Sequence, residues 1–414
     1  MNSSSSRRWR AGAAAAVVAA GLALGSASMA QETVRPEVGK PLQAAIDLLK
    51  QRKGKEALAQ ARAAQAVPDK TPYETYLVTR VLGQAASAAG DNATAASALE
   101  QAANSSAAPA ADRVSLLAAA AGQYYALKQY SKAANAATTY FQHGGTDKSV
   151  RTIYVQSLYL GGNYGAAARE LASDVEAEMR AGKNPPEDQL QLLANAYLQS
   201  KDTAGYGRTM EGLVALYPKR DYWLAAIDNV IRRSGFNDRL QIDVFRLRIE
   251  VAAMQRGADD YIDYAQLALI EGFPMEASRV IDKGYSASAL GTGSDAARHK
   301  RLKDLAAKNL AEDRKAIADA EKQDPSGKDA KTVFNEGFNL VLHGKSDKGL
   351  EMMEQGLKLG TGFRRIDHAK LQMGYAYYLA GQKQKAQQAY KRVQGDDGAV
   401  SLARLWIIRL SQPS

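Results

Sequence analysis

Apolar and polar positions along the chain recur at helical spacing, and the helices recur in turn. Tyr124 to Ala133 and Leu158 to Ala167 follow one frame: Tyr130 and Tyr164 are 34 residues apart, and so are Ala133 and Ala167. The frame returns as Gly374-Tyr375-Ala376-Tyr377, then Gly381, Ala386 and Tyr390. Aligned on its small residue, it runs Ala57, Ala95, Ala133, Ala167, Tyr206, Leu240, Ala277, Ala316, Gly349 and Ala386, at spacings of 33 to 39 residues. Tyr206 and Leu240 break the small-residue rule. A period of this size predicts two-helix units that cannot bury an apolar face alone and so stack on their neighbours. Gly90, Gly162, Gly235, Gly272, Gly344 and Gly381 each precede the aligned residue by five, where a turn between helices needs left-handed backbone.

This pattern resembles the tetratricopeptide repeat, with small residues at positions 8 and 20, large ones at 11 and 24, and glycine near 15. Alanine or glycine at 8 and 20 lets two helices approach closely, and the large residues fill the layer between units. The resemblance covers nearly all of residues 31–414. It implies an all-α fold, a right-handed α-solenoid of about ten tetratricopeptide-type helix pairs. Ala399 to Leu410, apolar on one side, is read as a C-terminal capping helix over the last repeat.

The frame is interrupted twice. Pro185-Pro186 excludes helix from the connection Gly182 to Glu187. Residues 291–323 open on Gly291-Thr292-Gly293 and continue as a charged helical segment that Asp324-Pro325-Ser326-Gly327 ends. The organisation expected is residues 1–30 as an export signal, 31–290 as an N-terminal array of about seven units, and 291–414 as further units and the capping helix, continuous with the first array.

The export signal follows from charge and apolarity at the N-terminus. Arg7, Arg8 and Arg10 precede an apolar run from Ala11 to Leu24, and Ser28-Met29-Ala30 offers small residues for cleavage before Gln31. Arg10 stands where a twin-arginine signal wants an apolar residue, so ordinary Sec export to the periplasm is expected. Loss of those three arginines takes the formal net charge from +10 to +7. That modest excess suits an acidic partner or anionic surface and is weak support for nucleic acid. No further apolar stretch reaches membrane-spanning length. The chain has no cysteine, which rules out disulfides, thiolate metal sites, cysteine nucleophiles and an N-terminal lipid anchor.

Candidate chemistry is sparse. His143, His299, His343 and His368 form no metal-ligand spacing, and His343, beside turn residue Gly344, reads as solvated. The chain lacks a phosphate loop and a nucleophile elbow, and neither Gly-Thr-Gly follows a strand. The basic run Arg298 to Lys303 reads as a solvated face paired with Asp304, Glu312 and Asp313. We therefore expect no catalytic residues, metal, cofactor or small-molecule substrate.

The resemblance carries more about binding than about chemistry. In tetratricopeptide proteins, positions 2, 5, 9 and 12 of each first helix line a concave groove. Position 9 here reads Ile46, Gln84, Gly122, Gln156, Asn195, Asn229, Gln266, Leu305, Phe338 and Tyr375. The five amides can donate and accept, so a row of them can hold the backbone of an extended peptide. Arg80 at position 5, with Tyr125, Tyr159 and Arg232 at position 12, adds charge and stacking. The plainer alternative is that these amides only solvate an exposed helix face.

Three further phrases are similar to a family of exported, largely uncharacterised tetratricopeptide proteins of proteobacteria. They are Glu187 to Tyr197, Tyr261 to Pro274, and Leu290 to Gly293 followed by Arg298 to Leu302. Some of its members carry the label of TonB-system components, which implies a periplasmic protein-binding adaptor near the envelope. A cell-wall glycan-binding module and an enzyme with an unrecognised site stay open as alternatives.

Overall fold

The computed structural model describes residues 33–320, 328–360 and 362–413, and no strand occurs among them. The expected export signal, residues 1–30, and the turn 324–327 lie outside them. The described residues pack as two compact units that divide between Ile153 and Tyr154.

In the first unit, α1 (Pro36–Lys50), α2 (Gly54–Ala66), α3 (Pro72–Ala89), α4 (Asn92–Ala103), α5 (Ala110–Ala126) and α6 (Tyr130–Gln142) each pack on the next. The aligned residues Ala57, Ala95 and Ala133 are fully buried, as the frame requires of residues between closely packed helices. Helix starts have local causes. Thr71 and Glu74 form a reciprocal capping box ahead of α3, with Pro72 inside the first turn. Glu74 also accepts from the Arg35 backbone and guanidinium at 2.9 Å each, which ties the start of α1 to that of α3. The Arg35 contacts hold the Glu74 carboxyl down at about 2.

Helix α7 (Lys148–Leu160) crosses the division between the units. The second unit continues with α8 (Tyr164–Arg180), α9 (Glu187–Gln199), α10 (Thr203–Leu216), α11 (Arg220–Ile231), a 3-10 turn at Asp238–Leu240, α12 (Gln241–Glu250), α13 (Ala258–Ile270) and α14 (Pro274–Ser286). It closes with α15 (Ala296–Ala320), α16 (Ala330–Leu342), α17 (Ser346–Leu359), α18 (Ile366–Leu379), α19 (Lys383–Lys391) and α20 (Ala399–Ser411). Positions 8 and 20 meet in the α16–α17 pair. A Cβ on Gly337 would lie 2.6 Å from the Gly349 carbonyl oxygen, and one on Gly349 would lie 2.5 Å from that of Gly337.

The turns confirm the register and correct it once. The residue five before each aligned position is left-handed at all six expected glycines and also at Arg52, Lys128 and Lys201, with φ of 61°, 58° and 61°. Ala316 has no such turn: α15 runs unbroken from Ala296 to Ala320, so a single helix replaces the helix pair expected there. The frame was satisfied by an alanine at the right interval, but nothing near Ala311 breaks the helix.

Helix α20 packs on α18 and α19, as a cap would, and also reaches back to α10, α11 and α12. Arg409 pairs with Glu250 at 2.9 Å, the Asn237 N–H donates to the Asp397 carbonyl at 3.0 Å, and the Gln412 amide donates to the Val214 carbonyl at 2.6 Å. Trp406 is 1% exposed and stacks on Tyr390 at 5.8 Å. Helix α12 is covered on every side, with Ile242 through Arg248 all buried.

Candidate functional site

The nine residues expected to line a groove occupy first helices, but they differ in availability. In the first unit, Gln84 on α3 is exposed, whereas Arg80 is half-buried and committed: its Nη1 donates to Asp112 at 2.8 Å. Tyr76 donates to the same carboxylate. Tyr125 is half-buried, its ring edge-on to Tyr130 at 5.8 Å, and burial raises its hydroxyl pKa.

The second unit repeats that aromatic arrangement. Tyr159 packs edge-on to Tyr164 at 5.3 Å and is half-buried, as is Gln156. Tyr125 and Tyr159 thus close the angle between the two helices of their own units. Asn195 on α9, Gln266 on α13 and Arg232 at the end of α11 are exposed. Asn229 is half-buried, and its amide nitrogen covers Gly207, where a Cβ would lie 2.7 Å from it. Gln84, Asn195, Gln266 and Arg232 are the exposed members of the set.

The aromatic end of the expected groove row is taken up internally. Phe338 is fully buried and Tyr375 nearly so, and both face the Arg246 guanidinium of α12, at 5.0 and 4.9 Å from their ring centres. Arg246 is buried and forks onto Glu276 with two bonds of 2.8 Å, while its third nitrogen reaches Asp243 at 2.9 Å. Tyr264 donates to Glu276 at 2.7 Å. Burial works against the Arg246 charge, but Glu276 and Asp243 outweigh it and hold the guanidinium charged more firmly than usual. Burial pushes the Asp243 carboxyl up against the pull of Arg246. With every polar group of Arg246 engaged and rings packed over it, this cluster fixes the register of α12, α14, α16 and α18.

A second polar cluster is open. Helices α10, α11 and α20 enclose a cavity of about 250 Å³ lined by Arg208, Glu211, Asn229, Arg233, Ser401 and Arg404 among others. Arg233 donates to Ser401 Oγ at 3.1 Å. Burial pushes the Glu211 carboxyl up, against the pull of Arg404, Arg233 and Arg208. Sequence reasoning reached only Asn229 of this set. Arg404 lies on α20, far along the chain from Arg208 and Arg233, and nothing local marks it as their neighbour.

The histidines correct one expectation. His343 is not solvated: its side chain is 7% exposed and Nε2 meets Asp313 at 2.5 Å, because the unbroken α15 lays Asp313 beside it. His299 is buried, and its Nδ1 accepts the Gly291 N–H at 3.1 Å. In the basic run, Lys300 pairs with Asp304 at 2.7 Å and Lys303 with Asp282 at 3.0 Å. No helix among the described residues is long and apolar enough to cross a membrane.

No protein-family model and no curated protein matches the chain. Among solved structures, it is similar to a tetratricopeptide repeat protein from Parabacteroides merdae, at 14% identity over 65% of this chain and 98% of that one, with a TM-score of 0.30. It is similar to the yeast Sti1 domain solved in complex with pHSP90, at 11% identity, 73% and 100% coverage and a TM-score of 0.24. Yeast Tom70 aligns at 11% identity, 88% and 94% coverage and a TM-score of 0.25. Scores of this size carry no argument of their own, and the architecture rests on the helix pairing described above. On that footing the chain is an all-helical tandem-repeat protein of the α-solenoid class.

Proposed function

We propose that this chain is an exported periplasmic adaptor of the tetratricopeptide type. On this reading it holds an extended segment of a partner protein against its first helices, within an envelope complex of the TonB kind. The observation that carries the binding reading is the recurrence of exposed amides at one repeat position. Gln84, Asn195 and Gln266 all present both a donor and an acceptor to solvent. Stacked pairs bury their apolar surface against neighbours and leave such a helix face free for recognition. The basic, apolar, small-residue order of residues 1–30 supports export.

Photo-crosslinking in living cells from residues 84, 195 and 266 tests the reading. Capture of a protein from residue 84 in the first unit, and of one protein from residues 195 and 266 in the second, is the expected outcome, with loss of capture when the amides become alanine and the melting temperature stays unchanged. Capture unaffected by the triple change would return the amides to mere solvation. Sedimentation with purified peptidoglycan in place of protein capture would favour a cell-wall binder.

A further inference from the structure

We propose that the cavity between α10, α11 and α20 binds a small dianion presenting several oxygen atoms, a phosphate group or a dicarboxylate, and that this ligand fastens α20 to the body of the second unit. Arg208 enters from α10, Arg233 from the turn just after α11 and Arg404 from α20, and Glu211 is the one carboxylate among the lining residues. Two positive charges are therefore left without a counterpart in the cavity. The Arg208 and Arg404 guanidinium groups make no ion pair or hydrogen bond among the described residues, and Arg233 has only the Ser401 hydroxyl.

Like charges gathered from three separate segments repel one another, and an anion placed among them relieves that repulsion. Guanidinium groups offer forked N–H donors whose spacing matches the oxygens of phosphate and carboxylate. Thr203, Asn229 and Ser401 add neutral hydrogen-bonding groups at the same wall. The volume, about 250 Å³, admits a phosphate group or a short dicarboxylate rather than a folded partner. Arg208, Arg233 and Arg404 are exposed at the cavity mouth, above a half-buried Glu211 whose carboxyl pKa is raised by burial.

The ligand would have a mechanical consequence as well. It would bridge the final helix to helices some two hundred residues earlier, beside the existing Arg233–Ser401 and Asn237–Asp397 contacts. This proposal is independent of the protein-docking reading, since it concerns a different ligand.

The test titrates the full chain with inorganic phosphate, and separately with succinate, at constant ionic strength. Binding is followed by calorimetry and by the melting of tryptophan fluorescence, to which Trp223 and Trp406 both contribute. Saturable binding that raises the melting temperature is expected, and the tighter of the two anions identifies the group. Arg404→Gln should weaken binding about tenfold or more, as loss of a charge-assisted hydrogen bond does. Glu211→Gln should tighten it, because a like charge leaves the cavity. Without ligand, Arg404→Gln should melt close to the parent, since the exposed side chain makes no hydrogen bond or ion pair among the described residues and exerts only a longer-range pull on Glu211. Failure of both anions to saturate, or equal affinity in parent and Arg404→Gln, overturns the proposal.

Discussion

Replacing Arg246 with leucine removes the one positive charge from a buried cluster and keeps comparable volume. Three hydrogen bonds of 2.8 to 2.9 Å are lost, two to Glu276 and one to Asp243. Two carboxylates stay behind in a region where Arg246, Asp243 and Glu276 are 2%, 6% and 3% exposed. Breaking a buried pair by removing one partner costs about 3–5 kcal/mol, chiefly through the orphaned charge. The rings of Phe273, Phe338 and Tyr375 lose a cation but keep an apolar neighbour, so that term is secondary. We take about 4 kcal/mol as the expected loss, which in a unit of this size lowers the melting temperature by roughly 8–16 °C. Trp223 and Trp406 are buried in the second unit, and the remaining tryptophan, Trp9, lies within the expected export signal. In a chain beginning at residue 31, tryptophan fluorescence during urea unfolding therefore follows the second unit alone. The deficit should narrow toward pH 4.5, where protonation relieves a stranded carboxylate. Arg80→Leu is the control: its pair with Asp112 is about one-third exposed on each side, and its loss should cost no more than about 1 kcal/mol. A cost below about 1 kcal/mol for Arg246→Leu would refute the assignment of a water-excluded cluster.

Other outcomes follow from the same structure. Gly349→Ala should destabilise the second unit by about 1–3 kcal/mol in urea titrations, because its new Cβ meets the Gly337 carbonyl at 2.5 Å. Ala167→Leu should cost a similar amount, about 1–3 kcal/mol, since Ala167 is fully buried at an aligned position. Glu74 is held at about 2 against an ordinary value of 4.5, so its contribution to the first unit is full above pH 4.5 and is lost as pH falls toward 2. Circular dichroism melts of Glu74→Gln should therefore lie below those of the parent at neutral pH, with the gap narrowing below pH 4.5 and closing only as pH nears about 2.

The sequence carried the pairing of helices well because the signal is local and repeated. Gly90, Gly162 and Gly381 mark turns, and the small residues five positions on are buried against the partner helix. Arg52, Lys128 and Lys201 make the same turn without glycine, which residue identity alone does not disclose. Ala316 shows the opposite failure, a fitting residue with no turn before it. The candidate surface was legible only in part. Gln84, Asn195 and Gln266 are exposed, but exposure does not tell recognition from solvation. Arg246 lies in the polar-looking segment Gln241–Glu250, which has no amphipathic stripe because neighbours cover it all round. Its burial is decided by α14, α16 and α18, and that of Glu211 by α20, so both belong to tertiary packing.

An open tandem array can be lengthened or shortened one module at a time, since each module answers only to its neighbours. The return of α20 onto α10, α11 and α12 removes that freedom here. Trp406 and Leu410 reach their sites only after residues 399–411 have been made, and until then α12 lacks part of its cover. Removal of residues 399–411 would thus unsettle α12, encoded roughly 160 codons upstream, and a module spliced in before residue 399 would put the clasp out of reach.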